Sequence, residues 1–567
     1  MENHYSSYLF YLAILLFFTP ILFRYIFHRR RNLPPSPFSF PIIGHIYLLK
    51  STLHLTLTSL SAKYGPVLYL KLGYNMPVIV VSSPSAVEEC LTKNDVIFAN
   101  RPKTLAGDKF TFNYTVYVWA PYGQLWRILR RLTVVELFSS QSLQKSSTLR
   151  DQEIGTFIRS LYKFSTSNNN GSKKVDLTNW AFTLVFNLMT KIIAGKHIVN
   201  EEDAGMEKGV EMIEKLRGTF LVTISFLNMC DFLPILRWFG YKGLEKKMDV
   251  IHSKRNQFLN SLIDEFRHNK ISGLKPNDTT LIETLLSFQE SEPEFYTDDI
   301  IKSIMLLKFL DKMVTYFNIV SESGSFPFGL PVHAPVMPGR KGGVRVEHEH
   351  LMMAANIGMQ VVFVAGTETS SSTIQWVMRL LLAHPEVLHK LRADIDNKVG
   401  NKRLVRESDL TKLPYLRCIV NETMRLYPPI PLLLPHYSTE DCTVGGYDVP
   451  KHTMLLINAW AVHRDPKVWD DPEKFKPERF EATEGETERF NYKLIPFGMG
   501  RRACPGTDMG LRAVSLALGA LVQCFDWQIE EEESLEASYH ARMSMQNKPL
   551  KAVCTPREDL VELLSQL

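Results

Sequence analysis

The sequence predicts a mainly α-helical protein with small β-sheets, preceded by one N-terminal transmembrane helix. Residues 8–27 form an apolar run broken only by Thr19, Pro20 and Arg24. Runs 66–73 and 76–83 are rich in β-branched and aromatic residues and are bounded by Gly and Pro, which is typical of strands. Helical patterns dominate from about 120 to 310 and again beyond 361, with further short strands expected near 442–458 and 525–529.

The apolar run has about the length that a hydrocarbon core of roughly 30 Å requires. Arg29, Arg30 and Arg31 follow it and no Lys or Arg precedes it, so we expect a lumenal N-terminus and a cytosolic body. A cleaved signal peptide fits less well, because its basic residues would precede the run and no small-residue cleavage site follows. The chain therefore divides into an anchor (1–31), a connector stiffened by four prolines (32–45) and one body (46–567).

Composition excludes several other classes of protein. The chain has 567 residues, and its net charge of +5 is too small and too dispersed to indicate nucleic-acid binding. Its seven cysteines are scattered and include no C-x-x-C pair, which argues against a disulfide framework or structural zinc and favours a reducing compartment.

The loop 494–510, LIPFGMGRRACPGTDMG, has two interpretations. Gly498, Gly500 and Ala503 match the G-x-G-x-x-G/A pattern that binds a dinucleotide pyrophosphate at a helix N-terminus. Pro505 would then interrupt that helix, at a cost of about 3 kcal/mol. If the helix begins after Cys504, Pro505 takes the favoured first helical position, and the helix dipole stabilises a Cys504 thiolate able to ligate a metal.

The second interpretation matches a known family. PFGMGRRACPG resembles the haem-binding loop of the cytochrome P450 monooxygenases, and Phe497, Gly500, Arg502, Cys504 and Gly506 fill every defined position. The resemblance implies that Cys504 is the axial ligand of the iron of haem b and that Arg502 meets a haem propionate. It also implies that Phe497 and Gly506 belong to the cofactor-binding loop. Thiolate ligation favours cleavage of the O–O bond.

Two further motifs agree with this resemblance. Glu422 and Arg425 in NETMRLYPP, with Arg479 in PERF, are similar to the family's buried ion-pair network behind the haem loop. We assign these three residues to structure. An isolated E-x-x-R would otherwise indicate an exposed pair.

The resemblance also implies which residues face the haem propionates. Trp126 and Arg130 in WRILR lie four residues apart on one helix face, and His436 in LLPHYS matches a position that is often basic in the family. Without the resemblance, the WRILR stretch would be an amphipathic helix with exposed basic positions.

The stretch 362–373, VFVAGTETSSST, is similar to the family's distal-helix motif. Ser and Thr compete with the helical backbone for hydrogen bonds, so such a run inside an apolar helix indicates function. The resemblance implies that Glu368 and Thr369 deliver protons during catalysis. The alternative is a helix whose hydroxyls are satisfied by its own carbonyls.

The chain looks closest to plant microsomal P450s of the A-type that hydroxylate isoflavonoids and other phenylpropanoid-derived compounds. Its pocket residues would be apolar, which suits a flat lipophilic substrate. The alternative is that about half of the aromatic residues in this region belong to the hydrophobic core and do not line the pocket. The implied pocket residues are Phe110, Phe112, Tyr114, Leu432 and Leu433.

The resemblance implies O₂ and NADPH-cytochrome P450 reductase as reaction partners, and a single-pass protein of the endoplasmic reticulum membrane with its catalytic domain in the cytosol. Two alternatives stay open. One is a haem-thiolate isomerase or dehydratase that uses no O₂. The other is a non-catalytic membrane haem protein.

An atypical insertion at about 308–360 motivates the second alternative. Four prolines and five glycines lie between residues 323 and 343, so no helix continues through this stretch. In the family, the helix before it would run directly into VAGTETSSST. We hypothesise that the insertion is a retained intron or an error of the gene model, and that a chain containing it would be less stable.

Overall fold

The computed structural model describes Thr19 and residues 31–257, 366–529 and 549–567. Within these ranges it leaves out 50–51, 75, 111–113, 115–117, 133, 135–137, 168–172, 195–196, 200–206, 221–227, 255–256 and 482–490. The anchor (except Thr19 and Arg31), the insertion and Phe112 lie outside the described residues and stay predictions. Among the described helices, none combines the length and the apolar character that crossing a bilayer requires.

The described part of the chain is mainly helical with small sheets, as the sequence predicts. Its helices are α1 (Leu53–Tyr64), α2 (Pro84–Leu91), α3 (Leu105–Phe110), α4 (Gln124–Leu132), α5 (Ser140–Lys145), α6 (Ser147–Thr166), α7 (Leu177–Ala194), α8 (Glu207–Phe220), α9 (Met229–Phe232), α10 (Ile235–Trp238), α11 (244–254), α12 (366–383), α13 (Pro385–Lys398), α14 (Pro414–Leu426), α15 (Ala459–Val462), α16 (Thr507–Cys524) and α17 (Val561–Gln566). Short 3₁₀ turns at Glu407–Lys412, Pro477–Phe480 and Gly500–Arg502 connect several of them.

Nine strands form three sheets. They are β1 (Val67–Leu72), β2 (Met76–Val81), β3 (Lys173–Asp176), β4 (His436–Tyr437), β5 (Cys442–Val444), β6 (Tyr447–Val449), β7 (Met454–Ile457), β8 (Phe525–Gln528) and β9 (Lys551–Pro556) within the described ranges. The strand orders are β1-β2-β7-β4, β3-β9-β8 and β5-β6. Among the pairs of described strands, β2 and β7 are parallel and the others are antiparallel. The strands expected at 66–73, 76–83, 442–458 and 525–529 are confirmed.

The four-stranded sheet is covered on both faces. Successive side chains of a strand point to opposite faces, and Val78 and Val80 pack in one apolar cluster while Ile79 and Val81 pack in another. All four residues are fully buried. This double burial explains why the strand is a continuous apolar run instead of an alternating one.

The main core surrounds α16, which begins just after the cysteine loop. Its second half is almost wholly buried between α6, α12, α13 and α14. At Glu407, a buried carboxylate accepts hydrogen bonds from Arg150 of α6 and from Arg512 of α16, the latter at 2.8 Å. The helix that positions the cysteine loop is thus fixed by both apolar packing and charge.

His463 connects the end of α14 to the approach of the cysteine loop. The fully buried imidazole donates from Nδ1 to the Arg425 carbonyl (3.2 Å) and accepts at Nε2 from the Ile495 N–H (2.9 Å). A carbonyl can only accept and an N–H can only donate, so these contacts fix a single neutral tautomer. Burial, together with the charges of Arg464 and Arg425, lowers the pKa of His463 to about 3.

This neutral histidine makes stability dependent on pH. In the unfolded chain the imidazole takes up a proton near pH 6.5, whereas in the folded protein it stays neutral down to about pH 3. Between these values the unfolded chain binds more protons, so the unfolding free energy falls as the pH falls, by up to about 1.4 kcal/mol per pH unit.

We therefore expect His463→Gln to lose less unfolding free energy than the parent protein between pH 6.5 and pH 4, because glutamine accepts the Ile495 N–H without titrating. Urea unfolding at both pH values measures this. His389→Gln, at an exposed position of α13, is the control and should keep the parent slope. An unchanged slope in the His463 variant would show that this histidine does not cause the acid sensitivity.

Candidate active site

The cysteine loop is built from tight turns. Gly498 and Gly500 have φ angles of +66° and +70°, a left-handed conformation that favours glycine. The Cys504 N–H donates to the Phe497 carbonyl at 2.9 Å and closes the loop. Phe497 packs at the edge of the main core. These turns and this hydrogen bond hold the Cys504 side chain near the N-terminus of α16.

Gly500 is required for a second reason, which is the close approach of α2. A Cβ at this position would lie 2.7 Å from Asp95 Oδ1 and 3.0 Å from the Leu91 carbonyl oxygen. The same Asp95 carboxylate accepts from the Arg501 N–H at 3.2 Å and pairs with Arg501 Nε at 2.7 Å. The loop is therefore supported from outside as well as by its own turns.

The structure corrects the expected position of Pro505. Helix α16 begins at Thr507 with Gly506 as its N-cap, so Pro505 precedes the helix instead of opening it. The reason is that the turn closed by Cys504 needs two more residues before helical geometry begins.

Opposing effects act on the pKa of the Cys504 thiol. The residue is exposed on one side, but protein atoms crowd its thiol on the others, and this burial raises the pKa of Cys504 above the ordinary value. The Gly506 N–H, the Thr507 hydroxyl and the charge of Arg130 act in the opposite direction. Ligation by a metal requires the thiolate and so releases this proton.

The dinucleotide interpretation does not fit the loop. A pyrophosphate fingerprint needs a strand before the glycines, and residues 491–499 contain none. The acidic residue that follows at a suitable distance, Asp526, accepts a hydrogen bond from Arg392 Nη1 at 2.6 Å. A metal ligand at Cys504 is the chemistry that the geometry supports.

Basic and indole side chains converge beside Cys504. Arg130 of α4 donates to the Ala503 carbonyl at 2.6 Å, which joins α4 to the loop. Arg502 lies over the Trp126 ring at 4.7 Å and donates to the Ala99 and Ala120 carbonyls.

His436 is buried in β4 and donates from Nδ1 to the Phe98 carbonyl at 2.9 Å. Burial and the charges of Arg101 and Arg502 lower the pKa of His436 to about 3.

These residues fit a haem. The Nε1 of Trp126 is buried and has no hydrogen-bond partner among the described residues, a state that costs free energy unless a ligand supplies an acceptor. The arginines beside it, which donate to the Ala503 and Ala99 carbonyls, bring positive charge to the site. Haem propionates would supply both the acceptor and the negative charge, while Cys504 would supply the iron ligand.

Arg101 belongs to the same cluster, although the sequence did not single it out. It is buried and donates to the carbonyls of Val118, Leu434 and Pro435, the last at 2.7 Å. Its charge acts on His436. No spacing rule marks Arg101, because its partners are up to 334 residues away.

The predicted ion-pair residues lie together in the interior. Glu422 and Arg425 are fully buried and meet at 2.7 and 2.9 Å. Arg479 Nε donates to Glu422 at 2.9 Å, and the Lys476 N–H donates to the same oxygen at the same distance. Arg425 also donates to the carbonyls of His463 and Pro472.

Glu368 and Thr369 lie in α12, the helix that packs against α16. A Cβ on Gly510 would lie 3.9 Å from the Ser370 hydroxyl, which places this part of α12 close to the helix that follows Cys504. Glu368 is buried and lies 4.0 Å from Arg217 Nη2. The Thr369 carbonyl accepts from the Thr373 hydroxyl at 2.8 Å, so part of the Ser/Thr face is satisfied within the helix.

The pocket residues predicted from the sequence and present among the described residues are buried or half-buried. Phe110 is 2% exposed and belongs to an apolar cluster with Leu105, Cys230 and Met248. The Tyr114 hydroxyl bonds both the N–H and the carbonyl of Thr104, and burial raises the pKa of Tyr114. Leu432 and Leu433 are half-buried against the two faces of the four-stranded sheet. Their contact with substrate stays a prediction.

Comparison with known proteins agrees with this geometry. The sequence model of the family described as Cytochrome P450 matches residues 34–310 and 342–554, which leaves out 311–341 inside the insertion. The chain is 41% identical to Cytochrome P450 81Q32 of Catharanthus roseus over the full length of both. It is 40% identical to isoflavone 3'-hydroxylase of Medicago truncatula over 94% of each.

A solved structure agrees as well. A zebrafish cytochrome P450 with progesterone superposes with a TM-score of 0.63 at 26% identity, covering 89% of this chain and 99% of that one. Family match, relatives and fold all indicate the same family. The chain belongs to the cytochrome P450 family, and it is a monooxygenase whose cofactor is haem iron.

Proposed function

We propose that the protein hydroxylates a lipophilic aromatic plant metabolite of the isoflavonoid type, with O₂ and with electrons from NADPH-cytochrome P450 reductase. The observation that carries the substrate class is the similarity to isoflavone 3'-hydroxylase and to an isoflavone 2'-hydroxylase of Glycyrrhiza echinata, 40% and 37% identical over at least 94% of this chain. A (+)-piperitol/(+)-sesamin synthase of Sesamum radiatum, also 40% identical, makes compounds related to piperitol and sesamin the second candidate.

In this proposal Cys504 ligates the haem iron, and Trp126, Arg130, Arg502 and His436 hold the propionates. When bound, the haem supplies the activation of O₂ and the insertion of one oxygen atom into the substrate. His436 uses its Nδ1–H for the Phe98 carbonyl, so its neutral Nε2 is an acceptor. A nearby propionate would favour the protonated ring, which donates from both nitrogens.

Glu368 and Thr369 would move protons on the distal side. A carboxylate followed by a hydroxyl offers one group that takes up a proton and one that passes it on over a short distance. An isomerase or dehydratase that does not use O₂ has no need of this pair, so its presence favours monooxygenation. Dependence of product on NADPH and reductase separates the two, because a rearrangement needs neither.

An exposed apolar surface supports attachment to the endoplasmic reticulum membrane. The connector and the α10 region meet at Gly73, whose N–H donates to the Ile43 carbonyl and whose missing Cβ leaves room for the Phe232 carbonyl. Exposed apolar side chains concentrate on these two segments, which marks an interaction surface. They include Phe38 (70% exposed), Phe40, Ile42, Ile43, Ile235, Trp238 (88%) and Phe239 (79%).

We expect Cys504→Ala to abolish hydroxylation, because alanine removes the thiolate and with it the electronic push on the iron. The measurement is NADPH-dependent conversion of an isoflavone by microsomes with reductase, together with the reduced carbon-monoxide difference spectrum. Cys442→Ala, at a half-buried cysteine of β5, is the control and should keep both signals. Full turnover by the Cys504 variant would refute haem-thiolate catalysis.

We expect Thr369→Ala to keep its haem but to form less product per NADPH consumed, by roughly ten-fold or more, since a positioned proton-transfer group contributes about 100-fold or more. Electrons would continue to arrive and would leave as peroxide. Thr373→Ala removes a buried hydroxyl one turn further along α12 and serves as the control. Equal coupling in parent and Thr369 variant would contradict the assignment.

A further inference from the structure

Two adjacent arginines of the cysteine loop are held in different ways. Arg502 donates to the Ala99 and Ala120 carbonyls. Arg501 pairs instead with a carboxylate, that of Asp95, which lies 2.7 Å from its Nε. The haem-binding motif defines the residue at position 502 and leaves position 501 open. The pairing of Arg501 is therefore a feature that neither the motif nor the proposed function explains.

The Asp95 carboxylate binds the loop through both the main chain and a side chain. Its Oδ1 accepts the Arg501 N–H at 3.2 Å, and its Oδ2 pairs with the guanidinium of the same residue. The missing Cβ of Gly500 leaves the space in which Oδ1 lies. Only 16% of the Asp95 side chain is exposed, so salt screens this pair less than it screens a pair on the open surface. One carboxylate thus fixes the path of the loop and the direction of the Arg501 side chain.

A second residue, Tyr122, holds the same guanidinium. Nη1 of Arg501 donates to the Tyr122 hydroxyl at 3.1 Å, and the guanidinium carbon lies 5.6 Å from the centre of the Tyr122 ring. The Tyr122 N–H in turn donates to Asn100 Oδ1 at 2.7 Å. Asp95 and Asn100 belong to one segment, 94–101, which follows α2. This segment therefore holds Arg501 directly and also through Tyr122.

The position of the Arg501 charge matters because Cys504 is near in the chain. The two residues are three positions apart, so their Cα atoms lie within about 11 Å of each other. A cation beside a thiolate attracts its electron density, which opposes the donation that favours cleavage of the O–O bond at the haem. A carboxylate next to the cation cancels most of this field. The Asp95–Arg501 pair thus leaves the sulfur close to an uncharged neighbour.

We propose that Asp95 is a positioning residue that keeps the Arg501 charge paired and away from Cys504, and so preserves electron donation by the thiolate. The inference rests on the proposed role of Cys504 as the ligand of the haem iron. An unpaired Arg501 raises the reduction potential of the iron, because a nearby cation favours the state with one more electron. An unpaired Asp95 lowers the potential for the same reason.

The test measures the reduction potential of the full-length protein by spectroelectrochemical titration and uses the sign of each shift. Asp95→Asn keeps the volume and an acceptor for the Arg501 N–H but loses the charge, so we expect a more positive potential. Arg501→Gln leaves Asp95 unpaired and should give a more negative potential. The double variant carries neither charge and should lie between the two single variants, close to the parent.

Lys93→Gln is the matched control for a change of charge on the same segment of chain. It removes a cation two residues before Asp95, which is 69% exposed and lies 3.8 Å from Glu89, and it should leave the potential at the parent value.

The reduced carbon-monoxide difference spectrum is a second readout, since it reports thiolate ligation. We expect it to be unchanged in Asp95→Asn and in Arg501→Gln. If the pair only supported the loop, both single variants would weaken thiolate ligation, lose this signal and shift the potential in the same, positive direction.

The outcomes separate this inference from the function on which it rests. If Cys504→Ala keeps the thiolate spectrum, the ligand assignment is wrong and the inference fails with it. If Cys504→Ala loses that spectrum but the Asp95 and Arg501 variants leave the potential unchanged, or shift it in one direction, Cys504 keeps its role and the pair has only a structural role.

Arg501→Gln also decides the question alone if Asp95→Asn does not retain haem. The Arg501 side chain is 44% exposed, so its replacement leaves the core intact. A more negative potential in this variant supports the proposal, and any other result overturns it.

Discussion

The buried carboxylate of Glu422 is the point on which the positioning of the site depends. It accepts hydrogen bonds from Arg425, Arg479 and the Lys476 N–H, and the Arg425 and Glu422 side chains are wholly out of water. Breaking a buried pair by removing one partner costs about 3–5 kcal/mol, because a charge is left without compensation. That is a large share of the unfolding free energy of a typical protein, about 5–15 kcal/mol. Loss of this network would therefore displace the loops that it connects.

From Glu422 the connection reaches the cysteine through backbone groups. Arg425 donates to the His463 carbonyl, and its own carbonyl accepts from the His463 ring, which in turn accepts from the Ile495 N–H. Ile495 leads directly to the Gly498 turn, since its carbonyl accepts the Gly498 N–H. Each link is a fixed donor–acceptor pair with no freedom to exchange roles. The sulfur of Cys504 is therefore placed by a chain of obligatory bonds that begins in α14.

Much of this could be predicted from the sequence, and the failures have physical causes. Strands β1 and β2 are evident because continuous β-branched runs bounded by Gly and Pro have few other structures available. The cysteine loop is evident because its glycines are needed for left-handed turns. Pro505 was placed wrongly because local propensity cannot show where a loop closed by its own hydrogen bonds ends. Arg101 and His463 escape prediction from the sequence because each acquires its role from partners far away in the chain.

Contacts between distant segments also govern the region that the resemblance assigns to the pocket. Helix α3 is joined to α9 and α11 by an apolar cluster, by the Asp231 carboxylate accepting the Leu105 N–H at 2.6 Å, and by the pair Lys109–Asp249 at 2.7 Å. Burial raises the pKa of Asp231 to about 6, so this junction is more dependent on pH than an exposed carboxylate would be. Phe110 belongs to the junction itself, as its burial shows. A substitution in α3 is thus transmitted to the segment around Asp231 through the shared cluster and the Leu105–Asp231 hydrogen bond.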